Sequence, residues 1–256
     1  MASGADSFFV PTWPAPDSVG SAISLRGGGV SDGLYSSNNM ALHVEESAVN
    51  TQANRASFVK YLNLTGTPVW LDQVHGTDVI YAPDAHDIPQ ADGSYSDKTG
   101  VICAVMTADC LPVLLCNKQG TQVAAVHAGW RGLSLGVVRK AVGKFCSNDG
   151  PLIAFLGPAI GPHAFGVGSE VKQTFLDNAH SQAHRQAIKN AFTESENESH
   201  YLADIYALAR AELNDCGVLD IYGGDYCTFS DSERFYSYRR NPITGRHASL
   251  IWLNEC

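Results

Sequence analysis

The chain has 256 residues, 45% hydrophobic and 17% charged, a globular composition that excludes an intrinsically disordered or membrane-embedded chain. Its formal net charge of −9 excludes the cationic surface on which non-specific nucleic-acid binding rests. One or two local arginines would still suffice to hold a small phosphate-bearing ligand. Seven cysteines (103, 110, 116, 146, 216, 227 and 256), an odd number with no CxxC pair, read as free thiols in a reducing compartment. Met1–Asp6 carries no basic or apolar leader region, and no apolar run approaches the roughly eighteen residues of a membrane span. The expected address is the cytoplasm.

In chain order, residues 1–12 read as a flexible arm, with Trp13 the first anchor of one domain running to residue 256. Residues 24–31 (SLRGGGV and a serine) read as a strand end entering a glycine turn. A short helix is predicted over 52–62, and short strands over 69–71 and 79–82 flank the turn Gln73-Val74-His75-Gly76. Buried strands are predicted over 101–106 and 113–116, with a turn at 117–120 and a partner strand over 122–126 that delivers His127 at its end. Apolar positions Leu133, Val137, Val138, Ala141, Val142 and Phe145 fall at helical spacing, so a helix follows Gly132. A strand is expected over 152–156 and mostly helix over 168–192. A second strong helix starts at Asp204 as N-cap and stops at Gly217. Segments 218–222, 227–229, 235–238 and 248–253 read as terminal strands. Helices and strands alternate unevenly, with hairpins among them, which predicts α+β architecture: a single domain of mixed β-sheets flanked by helices.

The chemistry concentrates in three segments. Thr107-Ala108-Asp109-Cys110 precedes His127-Ala128-Gly129-Trp130-Arg131-Gly132, and His75 lies upstream in the Gln73–Gly76 turn. Two neutral imidazoles and a thiolate form a donor set suited to a catalytic zinc with one position open. The same stock also supplies a nucleophile pair, Cys110 with His127 as base, oriented by Asp109 or Asp92. Their spacing matches no standard zinc signature, so both readings stand beside that of unrelated turn residues. Arg131 at a helix start, and Arg26 beside Gly27–Gly29, offer two corners for an anion. Tyr238-Arg239-Arg240 is either a further phosphate-facing pair or a solvated strand end. His180 and His184, i and i+4 on an expected helix, could bind a metal, but with no carboxylate or cysteine partner implied they read as an exposed face. His43, after Asn39, could reach a site from the glycine-rich loop, which spacing does not decide.

Taken together, the segments Trp70–Gly76, Ala91–Ser96, Ala104–Pro112, His127–Gly132, Leu156–Pro162, Tyr201–Asp204 and Tyr238–Arg240 resemble the YfiH family in content and order. Its members are called laccase-domain or polyphenol oxidase proteins, and also purine nucleoside phosphorylases. The resemblance implies a single α+β domain similar to a CNF-type bacterial toxin whose site is a Cys–His deamidase. It implies Zn2+ held by His75, Cys110 and His127, with Cu2+ the alternative. The implied activity is phosphorolysis of adenosine, inosine, guanosine and methylthioadenosine, with adenosine deamination beside it. A copper-dependent phenol oxidase, or a peptidoglycan-precursor hydrolase using Cys110 and His127, are the other activities attached to the family. Candidate catalytic residues are then Cys110, His127, Asp109 and His43. Candidate substrate- and phosphate-facing residues are Arg26, Asn39, Gln73 and Arg131. The expected partners are a purine nucleoside and phosphate, with no nucleic acid and no membrane, in a monomer or weak homo-oligomer. The chain departs from the family pattern at Glu45-Glu46, where Gly-Asp is usual, and at Gly166, where glutamate is common.

Overall fold

The computed structural model describes residues 7–145, 150–195 and 200–255; Cys146 and Cys256 lie outside them. The first part of the chain forms β1 (Phe8–Phe9), β2 (Val19–Ser24), α1 (Ala48–Tyr61), β3 (Pro68–Val69), β4 (Val79–Tyr81) and β5 (Gly93–Ser96). The centre forms β6 (Ile102–Thr107), β7 (Leu111–Asn117), β8 (Val123–Ala128), α2 (Trp130–Ser134), α3 (Val137–Val142) and β9 (Leu152–Leu156). The rest forms β10 (Gly166–Gly168), α4 (Ser169–Asp177), α5 (Gln182–Asn190), β11 (Phe192–Glu194), β12 (His200–Ala203), α6 (Ile205–Asp215), β13 (Asp220–Gly223) and β14 (His247–Leu253).

These elements make a layered α+β domain. A five-stranded sheet, β1-β2-β14-β6-β3, stacks on a six-stranded sheet, β13-β9-β7-β8-β5-β4, while β10, β12 and β11 form a separate small sheet. Both large sheets are mixed: β3–β6, β4–β5 and β9–β13 run parallel and their other pairs antiparallel. Side-chain alternation explains the stacking. On β6, Cys103 and Val105 face the second sheet, where Leu114, Cys116, Val123 and Ala125 meet them. Ile102 and Ala104 face the other way, onto Phe58 of α1. The outer face of the six-stranded sheet, with Leu111, Val113 and Leu115, packs on Leu133 of α2, Val137 and Val138 of α3 and Leu208 of α6. Strands covered on both faces read as continuous apolar runs, which is why 101–116 is legible as buried. Among the described residues no helix is long and apolar enough to cross a membrane.

Several expected elements differ in detail. Of the arm, residues 1–6 lie outside the described residues, while Phe8–Phe9 pairs with β2 and Trp13 packs on Phe155, ring centres 5.8 Å apart. The helix after Gly132 starts earlier, at Trp130, and breaks at Gly136, whose φ of +87° is open to glycine. The 168–192 stretch is two helices separated at Ser181, whose side chain caps α5 by accepting the His184 N–H. Segments 227–229 and 235–238 are not strands. Phe235 and Tyr236 are fully buried among consecutive turns while Phe229 and Tyr238 are exposed, and Cys227 makes one isolated bridge to Ala159.

Asp204 is the N-cap of α6, its carboxylate accepting the Ala207 N–H at 2.9 Å. Asp204→Ala leaves that donor unmet and is expected to cost about 1 kcal/mol. That is a fall of roughly 2–4 °C in Tm for a domain of this size, checked by thermal melting against the parent chain.

Candidate active site

Strand register assembles the site. In the β7–β8 hairpin Pro112 lies opposite His127, so Cys110, just ahead of β7, and His127, near the end of β8, reach the same edge of the sheet. On the other side of β8, β5 pairs with Gly93 opposite Val126, and the His127 N–H donates to the Asp92 carbonyl at 2.7 Å. The Asp92 carboxylate thereby meets the His127 ring, Oδ1 to Nδ1 at 2.7 Å, with Asp92 fully buried. It also accepts the backbone N–H groups of Val74 (3.3 Å), His75 (2.9 Å) and Gly76 (2.6 Å), pinning the 73–76 turn. Gln73 completes that anchorage: its amide pairs with the backbone N–H and carbonyl of Met106 at 2.7 and 2.8 Å.

His75, at φ +59°, swings its ring back to the sheet edge. Its Nε2 lies 3.6 Å from Cys110 Sγ, and its ring meets that of His127 edge-on at 4.7 Å and 77°. One donor atom each from His75, Cys110 and His127 falls within 4.8 Å of the other two. Bonds of ~2.3 Å to sulfur and ~2.0–2.1 Å to nitrogen at a tetrahedral angle put S and N about 3.6 Å apart. The Cys110–His75 separation therefore fits one zinc ion, and Asp92 supplies the carboxylate that orients a ligating histidine and fixes its tautomer. Two glycines make room. A Cβ on Gly129 would lie 2.7 Å from His75 Cδ2, and one on Gly132 would lie 2.6 Å from the Gly76 carbonyl oxygen.

The electrostatics follow. Burial would raise the Cys110 thiol, but the imidazoles of His127 and His75 outweigh it and pull the group down to about 6. Burial would lower His127, yet the Cys110 thiolate and Asp92 carry it up to about 9. Asp92 stays below the ordinary carboxylate range: burial opposes this, but His127 and the backbone donors prevail. These shifts describe a thiolate whose proton has moved toward imidazole, ready to ligate or attack.

The three donors open into a cavity of about 660 Å³, within the range of small-molecule sites. Of the other sequence candidates, His43, Gln73, Asp109 and Arg131 line it. Arg131 is exposed and lies over the Trp130 ring at 4.5 Å. Desolvation, then Arg246 and Arg55, hold His43 below its ordinary value, so its ring is neutral at neutral pH. Asp109 is not a free acid. It is buried, and its carboxylate accepts from Thr228 Oγ1 (2.6 Å), Ser237 Oγ (3.0 Å) and the Arg239 N–H (2.7 Å).

Two candidates lie outside the pocket. Arg26 spends its guanidinium on the carbonyls of Ser36 and Ser232, both at 2.9 Å, and faces Tyr236. Asn39 is buried, with its amide shared among Ala41, Glu46, Thr51 and Arg246. Arg240 likewise serves the carbonyls of Thr228, Phe229 and Phe235. His184 is buried rather than on an exposed face: it pairs with Glu212 at 3.3 Å, and Arg139 grips the same carboxylate at 3.0 Å.

Sequence reading missed Arg246 and Glu170, both in the pocket wall. Arg246 enters because β14 pairs with β6, His247 opposite Thr107, which sets it beside Asp109 and Cys110. Register across 140 positions (247 − 107) leaves no local motif.

A family model described as multi-copper polyphenol oxidoreductase laccase matches residues 20–254. A Pseudomonas aeruginosa protein named purine nucleoside phosphorylase is 46% identical over 98% of this chain and 100% of its own length. The Escherichia coli purine nucleoside phosphorylase YfiH is 48% identical over 95% and 98%. Among solved structures, a Neisseria meningitidis protein superposes with a TM-score of 0.90 at 43% identity, covering 97% of this chain and 100% of that one. YlmD from Geobacillus stearothermophilus superposes at 0.87 with 27% identity, over 99% and 98%. With a layered α+β domain, a His–Cys–His donor cluster and likeness over nearly its whole length, the chain belongs to the YfiH family of laccase-domain proteins.

Proposed function

We propose that the protein is a zinc-dependent purine nucleoside phosphorylase, with adenosine deamination as a secondary reaction of the same pocket. The observation that carries the proposal is the convergence of His75, Cys110 and His127 at the edge of a cavity lined by arginines and apolar side chains. The names of the relatives from P. aeruginosa and E. coli support the substrate class. Zinc in this cluster would act as a Lewis acid and anchor for an anionic oxygen or water.

In phosphorolysis a phosphate oxygen bonds to C1′ of the ribose, the C1′–N9 bond breaks, and the purine leaves with the electron pair and takes up a proton. Arg131 and Arg246, both in the pocket wall, hold the phosphate dianion through charge-assisted contacts, Arg246 with its Nη1 also donating to the carbonyls of Thr244 and Gly245; Arg26 lies outside that wall. Ile160, Phe165 and Ile205 give the purine an apolar wall. His43, neutral in this setting, offers its N–H to the departing base near N7. Asp109, saturated by three donors, keeps the 228–239 turns in place instead.

A second reading draws on one specific observation: Asp92, His127 and Cys110 also have the geometry of a Cys–His–Asp hydrolase triad. Such a triad has no use for His75 beside the sulfur, whereas a metal does. A multi-copper oxidase needs further histidine clusters. Among the described residues His75, Cys110 and His127 are the one such group, and the Met106 sulfur that an axial copper ligand would need faces Arg55 at 3.4 Å.

Zinc-loaded protein incubated with adenosine or inosine, with and without phosphate, is expected to release free base and ribose 1-phosphate only when phosphate is present. Cys110→Ala should abolish this together with bound metal, while His43→Ala should retain metal and lose about 100-fold in kcat. Inosine from adenosine in every lane, with no free base, would leave a deaminase. Adduct formation at Cys110 with an electrophilic substrate analogue in chelator-treated protein, with turnover intact, would favour the hydrolase.

Asp92→Asn exchanges a charged acceptor for an amide behind His127 and the 73–76 turn. Zinc affinity, read by competition with a chromophoric chelator, should fall ~10–100-fold. In the parent protein affinity should decline as pH drops below about 9, where the His127 ring holds a proton that the metal must displace, and more steeply below about 6, where the Cys110 thiol is protonated as well. An unchanged affinity in the variant would remove Asp92 from the support of the metal.

A further inference from the structure

One wall of the pocket is the segment from Phe165 to Val171, comprising β10 and the first turn of α4. On β10 the side chain of Val167 is buried in the core, so positions 166 and 168 share the opposite face. Both are glycine. Around a Cβ placed on Gly166 the sole neighbour within 4 Å is Arg239 Nη1, at 3.9 Å. A Cβ on Gly168 would collide with the Glu170 carboxylate. The result is a bare backbone shelf with Arg239 at one end and Glu170 folded over the other.

The two ends differ in what they have left to offer. Arg239 already donates to the carbonyls of Gly166 (3.0 Å) and Ala164 (3.4 Å). The Glu170 carboxylate has no hydrogen-bond or ion-pair partner among the described residues. The other carboxylate lining the pocket, Asp109, is filled by three donors. Glu170 therefore holds the uncommitted acceptor oxygens of a pocket whose other charged groups are mainly donors.

Resting on the nucleoside reading above, we propose that Glu170 determines sugar specificity by accepting the ribose 2′- and 3′-hydroxyls, with the glycine shelf giving the sugar edge its room. Base edges do not offer a constant target: adenosine presents an N6 amine where inosine presents O6, and N1 changes from acceptor to donor. The vicinal diol is the donor pair common to all purine ribonucleosides, and a carboxylate takes such a pair with both oxygens. A first-turn glutamate also suits the α4 dipole. That role alone predicts a stability change with no change in sugar discrimination.

The test compares adenosine, inosine and 2′,3′-dideoxyadenosine, each with phosphate, in parent protein, Glu170→Gln and Glu170→Ala, reading base release and bound zinc. Both variants should keep their metal and lose ~10–100-fold in kcat/KM for adenosine and inosine alike, mainly through KM. Turnover of the dideoxynucleoside should be unchanged, so the preference for ribose collapses. An equal fall on ribo- and dideoxynucleoside, or no fall at all, overturns the assignment alone. A change in the adenosine-to-inosine ratio with ribose preference intact moves Glu170 to the base and overturns it too. Parent protein that releases no base from any nucleoside removes the phosphorylase reading, and the assignment with it.

Discussion

The site depends on one buried carboxylate. Asp92 has no solvent exposure, yet four donors converge on it: the His127 imidazole and the backbone N–H groups of Val74, His75 and Gly76. Taking an ionised carboxylate out of water costs several kcal/mol unless its oxygens are met. Here the folded chain meets them with the turn that carries one candidate ligand and the ring that is another. That turn lies between β3 of the five-stranded sheet and β4 of the six-stranded sheet. Asp92 thus ties a crossover between layers to the sheet edge where Cys110 and His127 stand, and the donor cluster and the stacking of the sheets share one joint.

A second carboxylate performs the corresponding task on the other side of Cys110. Asp109 takes the left-handed backbone conformation at φ +84°, uncommon for a non-glycine residue, and turns its side chain into the protein while Cys110 borders the pocket. Thr228, Ser237 and the Arg239 N–H close on it, holding the chain of turns that precedes Arg246 and β14. A protein of net charge −9 presents Arg131, Arg239 and Arg246 around one cavity because acidic residues near that cavity are consumed by internal hydrogen bonds. Glu170 is the exception, and its free oxygens carry the inference about the sugar.

The central strands, the hairpin and the Asp204 cap were legible because each is a local signal: a continuous apolar run, a turn between two such runs, or a capping residue before a helical stripe. The grouping of His75, Cys110 and His127 rested on the family resemblance, since 35 residues (110 − 75) separate the first pair and no periodicity links them. Misreadings came where burial is achieved without regular structure. Phe235 and Tyr236 are fully buried, yet their segment is held by side-chain hydrogen bonds, including the His247 ring accepting the Tyr236 N–H at 2.7 Å. Arg26 and Asn39, beside the glycine-rich loop, hydrogen-bond to backbone carbonyls there and lie outside the pocket wall. Arg246 and Glu170 were invisible because only long-range register and a small three-stranded sheet bring them to the cavity.

X-ray absorption at the zinc edge on metal-loaded protein examines the central claim most directly, since it reads the atoms around the ion without reference to any substrate. The account predicts one sulfur at ~2.3 Å and two imidazole nitrogens at ~2.0–2.1 Å, with lighter scatterers completing the shell. A zinc shell of oxygen and nitrogen alone, or metal that stays bound with the same spectrum in Cys110→Ala, would contradict it.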